Sequence, residues 1–426
     1  MSYWFKQKLF NKKVLIKFVS GSLFNSLAQI IANVIILKII KPEELGTWYS
    51  LLIIQTYALF FQAGVLNGIS RELPYLLGKN DIRKANEYAA TSLAFFIWGT
   101  IIFIAISIFL GLFIFENSTK EWLYTYFAIV IITSAKFYEN YLTATFRSKN
   151  SFEKLSLVYL IRGVFQIISI ILIFYFNYEG YIIRMASASI LTMALLHFIR
   201  PIKIKPKFNL QATFQLMKVG LPIFVLIYIY NSSLTIDRLL FIHNSKMEIL
   251  GYYSLGLMAL SAFRLLPETL ANYLYPRLSY KIGEGKSVIE LISLSLKSNL
   301  FVFLLMFILS IISFFFLPWI INNFFPAYSK GIYATQILLL AGAIHSGSIG
   351  NNVITSLKSW KQLSFIYLLS SALNVFLIYA SSKLFSDLLI GISFGVLLSS
   401  ISFTLISNLT LLYMKKNLLN INTSLF

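Results

Sequence analysis

The sequence predicts an all-α integral membrane protein whose twelve transmembrane helices form two six-helix bundles, related by a pseudo-two-fold axis along the membrane normal. Three observations carry that prediction: a composition too apolar for water, an alternation of basic charge along the chain, and an internal repeat. The chain of 426 residues is 58% hydrophobic, 16% aromatic and only 12% charged, with a mean hydropathy of +0.76. A soluble globular domain carries roughly 25% charged residues, so this chain has too little polar surface to fold in water.

The spans come from apolar runs bounded by charge or turn signals. Stretches such as VFLLMFILSIISFFFLPWII at 302–321 reach the roughly 20 residues that cross a hydrocarbon core about 30 Å thick. Twelve runs of this kind lie at 14–37, 45–67, 90–115, 121–144, 155–176, 180–199, 219–242, 250–274, 289–317, 331–356, 362–384 and 387–412. Met1 to Lys17 is basic and leads into apolar sequence, as a signal peptide does. The run from Val14 outlasts an h-region, however, and no small-residue cleavage site follows, so a retained first helix is expected.

Basic residues orient these spans. Of 36 Lys and Arg, counting Lys17, Lys38, Arg238 and Lys383 at span edges with their flanks, 24 lie on the N-terminal side, in the even-numbered loops or in the C-terminal tail, seven lie in odd-numbered loops, and five are inside spans. The positive-inside rule then places both termini in the cytoplasm. The net charge of +20 follows topology, which leaves nucleic acid without a role as a partner. Anionic membrane lipids are the expected partner of RPIKIKPKF (200–208). No cysteine is present, which excludes disulfides and thiolate metal ligands or nucleophiles, and three scattered histidines make no metal centre. There is no G-x-x-x-x-G-K-[ST] loop for a nucleotide, and the outer loops are too short to house a catalytic domain. Neither a cofactor nor an enzymatic activity is expected.

The third observation is the repeat. ANVIILKIIKPEELGTW (32–48) aligns without gaps with DRLLFIHNSKMEILGYY (237–253), pairing Gly46 with Gly251 and Trp48 with Tyr253 at an offset of 205. PYLLGKNDIRK (74–84) corresponds to PRLSYKIGEGK (276–286). Two parallel repeats of six helices follow, an N-terminal bundle over 1–205 and a C-terminal bundle over 206–426, with a cavity expected between them.

These motifs carry a resemblance. LKIIKPEELGTWYSLL, IDRLLFIHNSKMEILGYYSLGLMAL and the later LYPRLS resemble the polysaccharide flippases of the multidrug/oligosaccharidyl-lipid/polysaccharide exporter (MOP) superfamily, most of all the Wzx-type O-antigen flippases. The resemblance implies a MATE-like fold and a monomer in a bacterial inner membrane. It also implies a substrate: an undecaprenyl-diphosphate-linked oligosaccharide, moved from the cytoplasmic to the outer leaflet for O-antigen or lipopolysaccharide biosynthesis.

Ionisable groups inside spans are costly, about 2.5–3.5 kcal/mol at a helix centre on insertion scales, so each points to a cavity, a partner or a nearby interface. Apart from Glu121, Glu290 and Asp387 at the first or second residue of a span, only three acids fall there: Glu139, Asp237 and Glu268. In the eighth span Ser261, Arg264, Glu268 and Asn272 share one helical face, and the Arg264–Glu268 spacing allows an i,i+4 ion pair. Lys136, Glu139, Thr143 and Arg147 repeat this pattern in the fourth span, Arg162, Gln166 and Ser169 more weakly in the fifth, and Asn25, Gln29 and Asn33 without charge in the first. The alternative for every stripe is that polar side chains satisfy one another between helices. Arg184 and Lys297, near span ends, are expected to snorkel to the headgroups.

A diphosphate needs a cationic, solvated path, so Arg264, Lys136 and Arg162, with Asn25, Gln29 and Asn33, are the candidate substrate-binding residues. Glu268, Glu139 and Asp237 are candidates for coupling to protons or sodium in an alternating-access cycle. Asp237 and Arg238, at the outer end of the seventh span, form either an interfacial anchor or part of an outer gate. A MATE-like exporter of small molecules and a membrane-embedded polysaccharide polymerase or ligase are the competing functions. The excess of intramembrane bases over acids argues against the first, and the missing large outer loop against the second.

Overall fold

The computed structural model describes residues 12–114, 119–244, 247–283, 287–357 and 359–423. Helix follows helix, with no strand among the described residues. In chain order they are α1 (Lys12–Ile39), α2 (Pro42–Leu51), α3 (Ile53–Ala58), α4 (Val65–Gly78), α5 (Ile82–Ile114), α6 (Lys120–Ser148), α7 (Phe152–Ile168) and α8 (Ile171–Phe198). The second half continues as α9 (Leu210–Ser233), α10 (Ile236–His243), α11 (Met247–Gly283), α12 (Val288–Phe324), α13 (Ile332–His345), α14 (Asn352–Ser356), α15 (Trp360–Leu384) and α16 (Leu388–Thr423).

The breaks have local causes. Pro42 opens α2 at the position where its missing N–H is harmless, and the Glu44 carboxylate accepts the Lys41 N–H at 2.7 Å, as in a capping box. Ala63 and Gly64 have positive φ and bend the chain by 55° between 42–62 and 65–78. Two turns share one sequence logic, Lys-Asn-Asp at 79–81 and Lys-Asn-Ser at 149–151. Asn80 (φ 61°) and Asn150 (φ 53°) take the left-handed conformation that ends a helix, and Asp81 then accepts the Lys84 N–H to start the next.

Asn177 (φ 47°, ψ −125°) reverses the chain inside α8. A Cβ on Gly180 would strike the Leu172 carbonyl, and Arg184 touches Gln166, 18 residues earlier, neither of which a continuous helix permits. The expected fifth span thus runs up through Phe176, and the sixth comes back from Tyr178.

Eight helices among the described residues, or nine if the bent pair 42–62 and 65–78 is one span, are long and apolar enough to cross a membrane. The other three expected spans correspond to α6, α7 and α11. They are the helices that carry Lys136 and Glu139, Arg162, and Arg264 and Glu268. The architecture is consistent with twelve spans. Large apolar side chains such as Phe301, Ile308, Phe315 and Trp319 on α12 lie exposed, as lipid-facing residues do.

By internal contact the chain forms two compact units, one from Met1–Ile40 with Leu51–Tyr228, the other from Lys41–Ser50 with Ile229–Phe426. In the first, α1 packs along α7, where Gly21 and Gly163 let the helices approach and Ser156 Oγ donates to the Lys17 carbonyl at 2.6 Å. The second has a core of Phe241, Leu250, Tyr253, Leu338, Ile378 and Ile392. Here α2 crosses the start of α11 through the repeat itself. A Cβ on Gly46 would lie 2.9 Å from the Met247 carbonyl carbon, and one on Gly251 would lie 2.8 Å from Pro42 Cα. Met247 is the repeat equivalent of Pro42, so the contact is reciprocal under the 205-residue offset. Trp48 and Tyr253, the equivalent aromatics, are both buried.

Candidate functional site

In the first unit, α6 and α7 assemble three of the expected groups around one carboxylate. Glu139, with 7% of its side chain exposed, accepts from Lys136 Nζ at 3.1 Å, and Arg162 Nη1 lies 3.8 Å from the same oxygen. Lys136 remains 41% exposed and Arg162 23%. Arg162 Nε is buried without a partner. The cluster carries one net positive charge, and both cations retain donors for a further anion.

The first-span amides divide. Asn25 Oδ1 takes a long hydrogen bond from Gln166 Nε2 at 3.5 Å, Asn33 is half-buried, and Gln29 is exposed. The group behind Asn25 is one that sequence reasoning assigned elsewhere. Arg184 does not snorkel: it is 1% exposed, its Nη2 donates to Gln166 O at 3.1 Å and Gln166 Oε1 at 3.2 Å, and its Nε donates to Gln166 O at 3.3 Å. The reversal at Asn177 folds α8 back so that this guanidinium caps the carbonyl end of α7, the negative pole of that helix. Among the described residues no carboxylate pairs with it. The only sequence signal for this arrangement was the turn-forming Asn177 itself.

In the second unit, Asp237 and Arg238 are folded inward. Asp237 is 4% exposed; its Oδ1 accepts the Arg238 backbone N–H at 2.7 Å and Arg238 Nε at 3.3 Å, and its Oδ2 accepts the buried Tyr253 hydroxyl at 2.8 Å. Arg238 Nη2 turns back to the Leu234 carbonyl at 3.4 Å, and Tyr49 of α2 lies within reach of its charge. Tyr253 was legible only as the repeat partner of Trp48, and its role as a ligand of Asp237 emerges from the fold.

Arg264 and Glu268 share a helix face on α11 but do not pair. Among the described residues no ion pair joins them; Glu268 is exposed and Arg264 Nε is buried without a partner. The i,i+4 spacing leaves the two groups near enough for the Arg264 charge to act on Glu268, but they form no ion pair among the described residues. The Arg264 charge is also felt by Tyr230, Tyr253 and His345. His345 stacks on Phe403 at 4.8 Å, Tyr230 stacks on the same ring at 5.0 Å, and Tyr367 closes on Tyr230 at 5.3 Å. Arg264 thus lies beside an aromatic group, with Glu268 near it but not ion-paired among the described residues. The side chain of Asn272, expected next on this face, lies outside the described residues, as do those of Pro276 and Arg277 in LYPRLS. No group of three or more His, Cys, Asp or Glu that would hold a metal occurs among the described residues.

The fold is that of the MATE transporters of the MOP superfamily. An inward-facing multidrug resistance MATE family transporter of that superfamily matches with a TM-score of 0.71 over 95% of this chain and 99% of that chain, at 12% identity. An outward-facing conformation of such a transporter matches at 0.67, over 96% and 97%, with 14% identity. A MOP superfamily transporter from Pyrococcus furiosus, described as having a binding pocket of reverse polarity that suggests a different function, matches at 0.64 over 95% and 96%, with 15% identity. No protein-family model and no curated protein sequence matches the chain. Likeness at this level of identity establishes the fold, and the substrate has to be argued from the site.

Proposed function

We propose that this chain is a monomeric, non-enzymatic flippase of a bacterial inner membrane with cytoplasmic termini. Its cargo is an undecaprenyl-diphosphate-linked oligosaccharide, carried to the outer leaflet by alternating access for surface polysaccharide synthesis. The observation that carries this reading is the charge balance inside the helices. Arg264 makes no ion pair among the described residues, Lys136 and Arg162 share the single carboxylate of Glu139, and Arg184 makes none either. Two of the three intramembrane acids, Glu139 and Asp237, are already held by bases. An exporter of organic cations needs free carboxylates in its lumen, whereas this distribution suits a diphosphate. The P. furiosus protein described with a pocket of reverse polarity supports the view that this fold is not tied to one charge of cargo.

Glu268 is the intramembrane acid without an ion pair among the described residues, which makes it the best placed to exchange a proton or sodium ion as the cycle turns. Asp237 and Arg238 retain the role of an outer latch, held shut within their own unit by Tyr253.

Flipping of a fluorescent lipid-linked oligosaccharide by the purified protein in vesicles tests the proposal directly. Arg264→Ala is expected to abolish flipping, and surface polysaccharide in cells, while leaving the protein in the membrane; Glu268→Gln is expected to remove dependence on the ion gradient. Vesicles that extrude a cationic dye and leave the oligosaccharide unmoved would establish the small-molecule exporter instead.

A further inference from the structure

A groove of about 520 Å³ runs along the first unit between α5, α6 and α8. It follows α5 from Phe96 to Ile108, a length of about 18 Å at 1.5 Å per residue. Its walls are Ile97, Ile101 and Ile104 of α5, Ile131 of α6 and Ile190 of α8. The two aliphatic hydroxyl residues in the lining do not make it polar. Thr100 Oγ1 donates to the Phe96 carbonyl at 2.7 Å and Ser134 Oγ to the Val130 carbonyl at 2.7 Å, each one turn back on its own helix, so both turn carbon toward the groove.

One end of the groove is different. Tyr138 lines it there, with its hydroxyl 2.7 Å from His197 Nδ1 at the end of α8. Arg200 Nη1 donates to the His197 carbonyl at 2.7 Å, and its charge reaches the Tyr138 and Tyr141 hydroxyls. The remaining Arg200 donors have no protein partner among the described residues. Lys203, Lys205 and Lys207 follow, all exposed, in a segment (199–208) that contains no acid. At the other end, Ile108 and Phe127 are apolar. A long apolar slot whose Tyr138 end meets the Arg200 charge has the polarity of a single amphiphile.

We propose that this groove is a binding site for one anionic phospholipid, with an acyl chain along α5 and the phosphate on Arg200 beside the Tyr138–His197 pair. The length selects the occupant. A slot of about 18 Å is close to the roughly 15 Å depth of one leaflet, half of a core about 30 Å thick, which an acyl chain fills and a polyprenyl chain overruns. The charged end selects the headgroup, since basic side chains at the membrane surface contribute about 1 kcal/mol each toward anionic lipid. The site shares no residue with the cations assigned to transport. It joins α5, α6 and α8 to the basic segment that leads into α9, and so gives leaflet composition a direct hold on the first unit.

Native mass spectrometry of the delipidated full-length protein, titrated with phosphatidylglycerol and with phosphatidylcholine of matched chains, tests this. The wild type is expected to retain one phosphatidylglycerol at a concentration at least about fivefold below that needed for phosphatidylcholine, and Arg200→Gln to shrink that difference about fivefold. Ser134→Phe fills the slot and is expected to lose both lipids while eluting as the wild type does. Arg200→Gln, outside the helices, keeps the proposal testable should Ser134→Phe misfold. Equal retention of the two lipids, unchanged phosphatidylglycerol binding in Arg200→Gln, or displacement of phosphatidylglycerol by undecaprenyl phosphate would overturn it. None of these readings depends on what the protein transports.

Discussion

Replacing Gly251 with alanine puts a methyl group into the crossing of α2 and α11. The new Cβ would lie 2.8 Å from Pro42 Cα and closer still to the carbonyl carbon and oxygen of Pro42. Carbon atoms settle at about 3.5–4.0 Å, so α2 must withdraw by at least about 0.7 Å, and further to clear the oxygen. Both surfaces are backbone and no rotamer change can absorb the overlap. Overpacking of this kind costs about 1–3 kcal/mol, and this site belongs at the upper end. Gly256 and Gly78 are internal controls. At Gly256 a Cβ meets the tip of the Leu338 side chain, which a rotamer shift of about 0.5–1.5 kcal/mol relieves, while at Gly78 nothing lies within 4 Å. Alanine gains about 0.5–1 kcal/mol of helix propensity at each site. The expected order of thermal unfolding midpoints in detergent, followed by size-exclusion chromatography, is Gly78→Ala at or above wild type, then Gly256→Ala, then Gly251→Ala well below. Because the contact is reciprocal, Gly46→Ala should match Gly251→Ala, and the double variant should lose less than the sum, the first methyl having already parted the helices. A Gly251→Ala protein as stable as wild type would refute the close crossing.

Asp237→Asn leaves the Arg238 charge without its acceptor in a buried site and is expected to cost about 3 kcal/mol, against about 1 kcal/mol for Tyr253→Phe, which removes one hydrogen bond; chemical denaturation in detergent reads both. Glu139→Gln strands Lys136 and Arg162, but the exposure of Lys136 limits the loss to about 1–2 kcal/mol in the same assay. Asn177→Gly should stabilise by about 1 kcal/mol and Asn177→Val should destabilise by more than that, because φ 47° with ψ −125° suits glycine alone; equal unfolding midpoints would mean that the turn is not strained.

Helix positions were legible because apolar run length and turn residues are local properties. Pro42 with Glu44, the Lys-Asn-Asp and Lys-Asn-Ser turns, and Asn177 all mark breaks that the chain obeys. The repeat was legible for a deeper reason: Gly46 and Gly251 occupy one crossing, so one steric requirement acted on two places in the sequence. What sequence could not show is direction around a helix axis and distance across a turn. Arg264 and Glu268 have ion-pair spacing, yet form no ion pair among the described residues. Arg184 looked close enough to a span end to reach the headgroups, until the reversal at Asn177 set it against Gln166. The groove beside α5 was invisible for the same reason, since its three walls come from helices separated by up to about ninety residues of chain.

The crossing of α2 and α11 also bears on how such a chain arises. A contact in which residue 46 meets 247 and residue 251 meets 42 is self-complementary, the property of an isologous interface on a two-fold axis. A half-length chain of six helices, carrying one copy of this glycine patch, would present the same surface as both donor and recipient and so pair with a second copy of itself. Joining two such chains end to end converts that dimer contact into an internal one. Each half can then drift in its other residues, as Asp237 and Arg238 against Ala32 and Asn33 already show, with a glycine at the crossing in both.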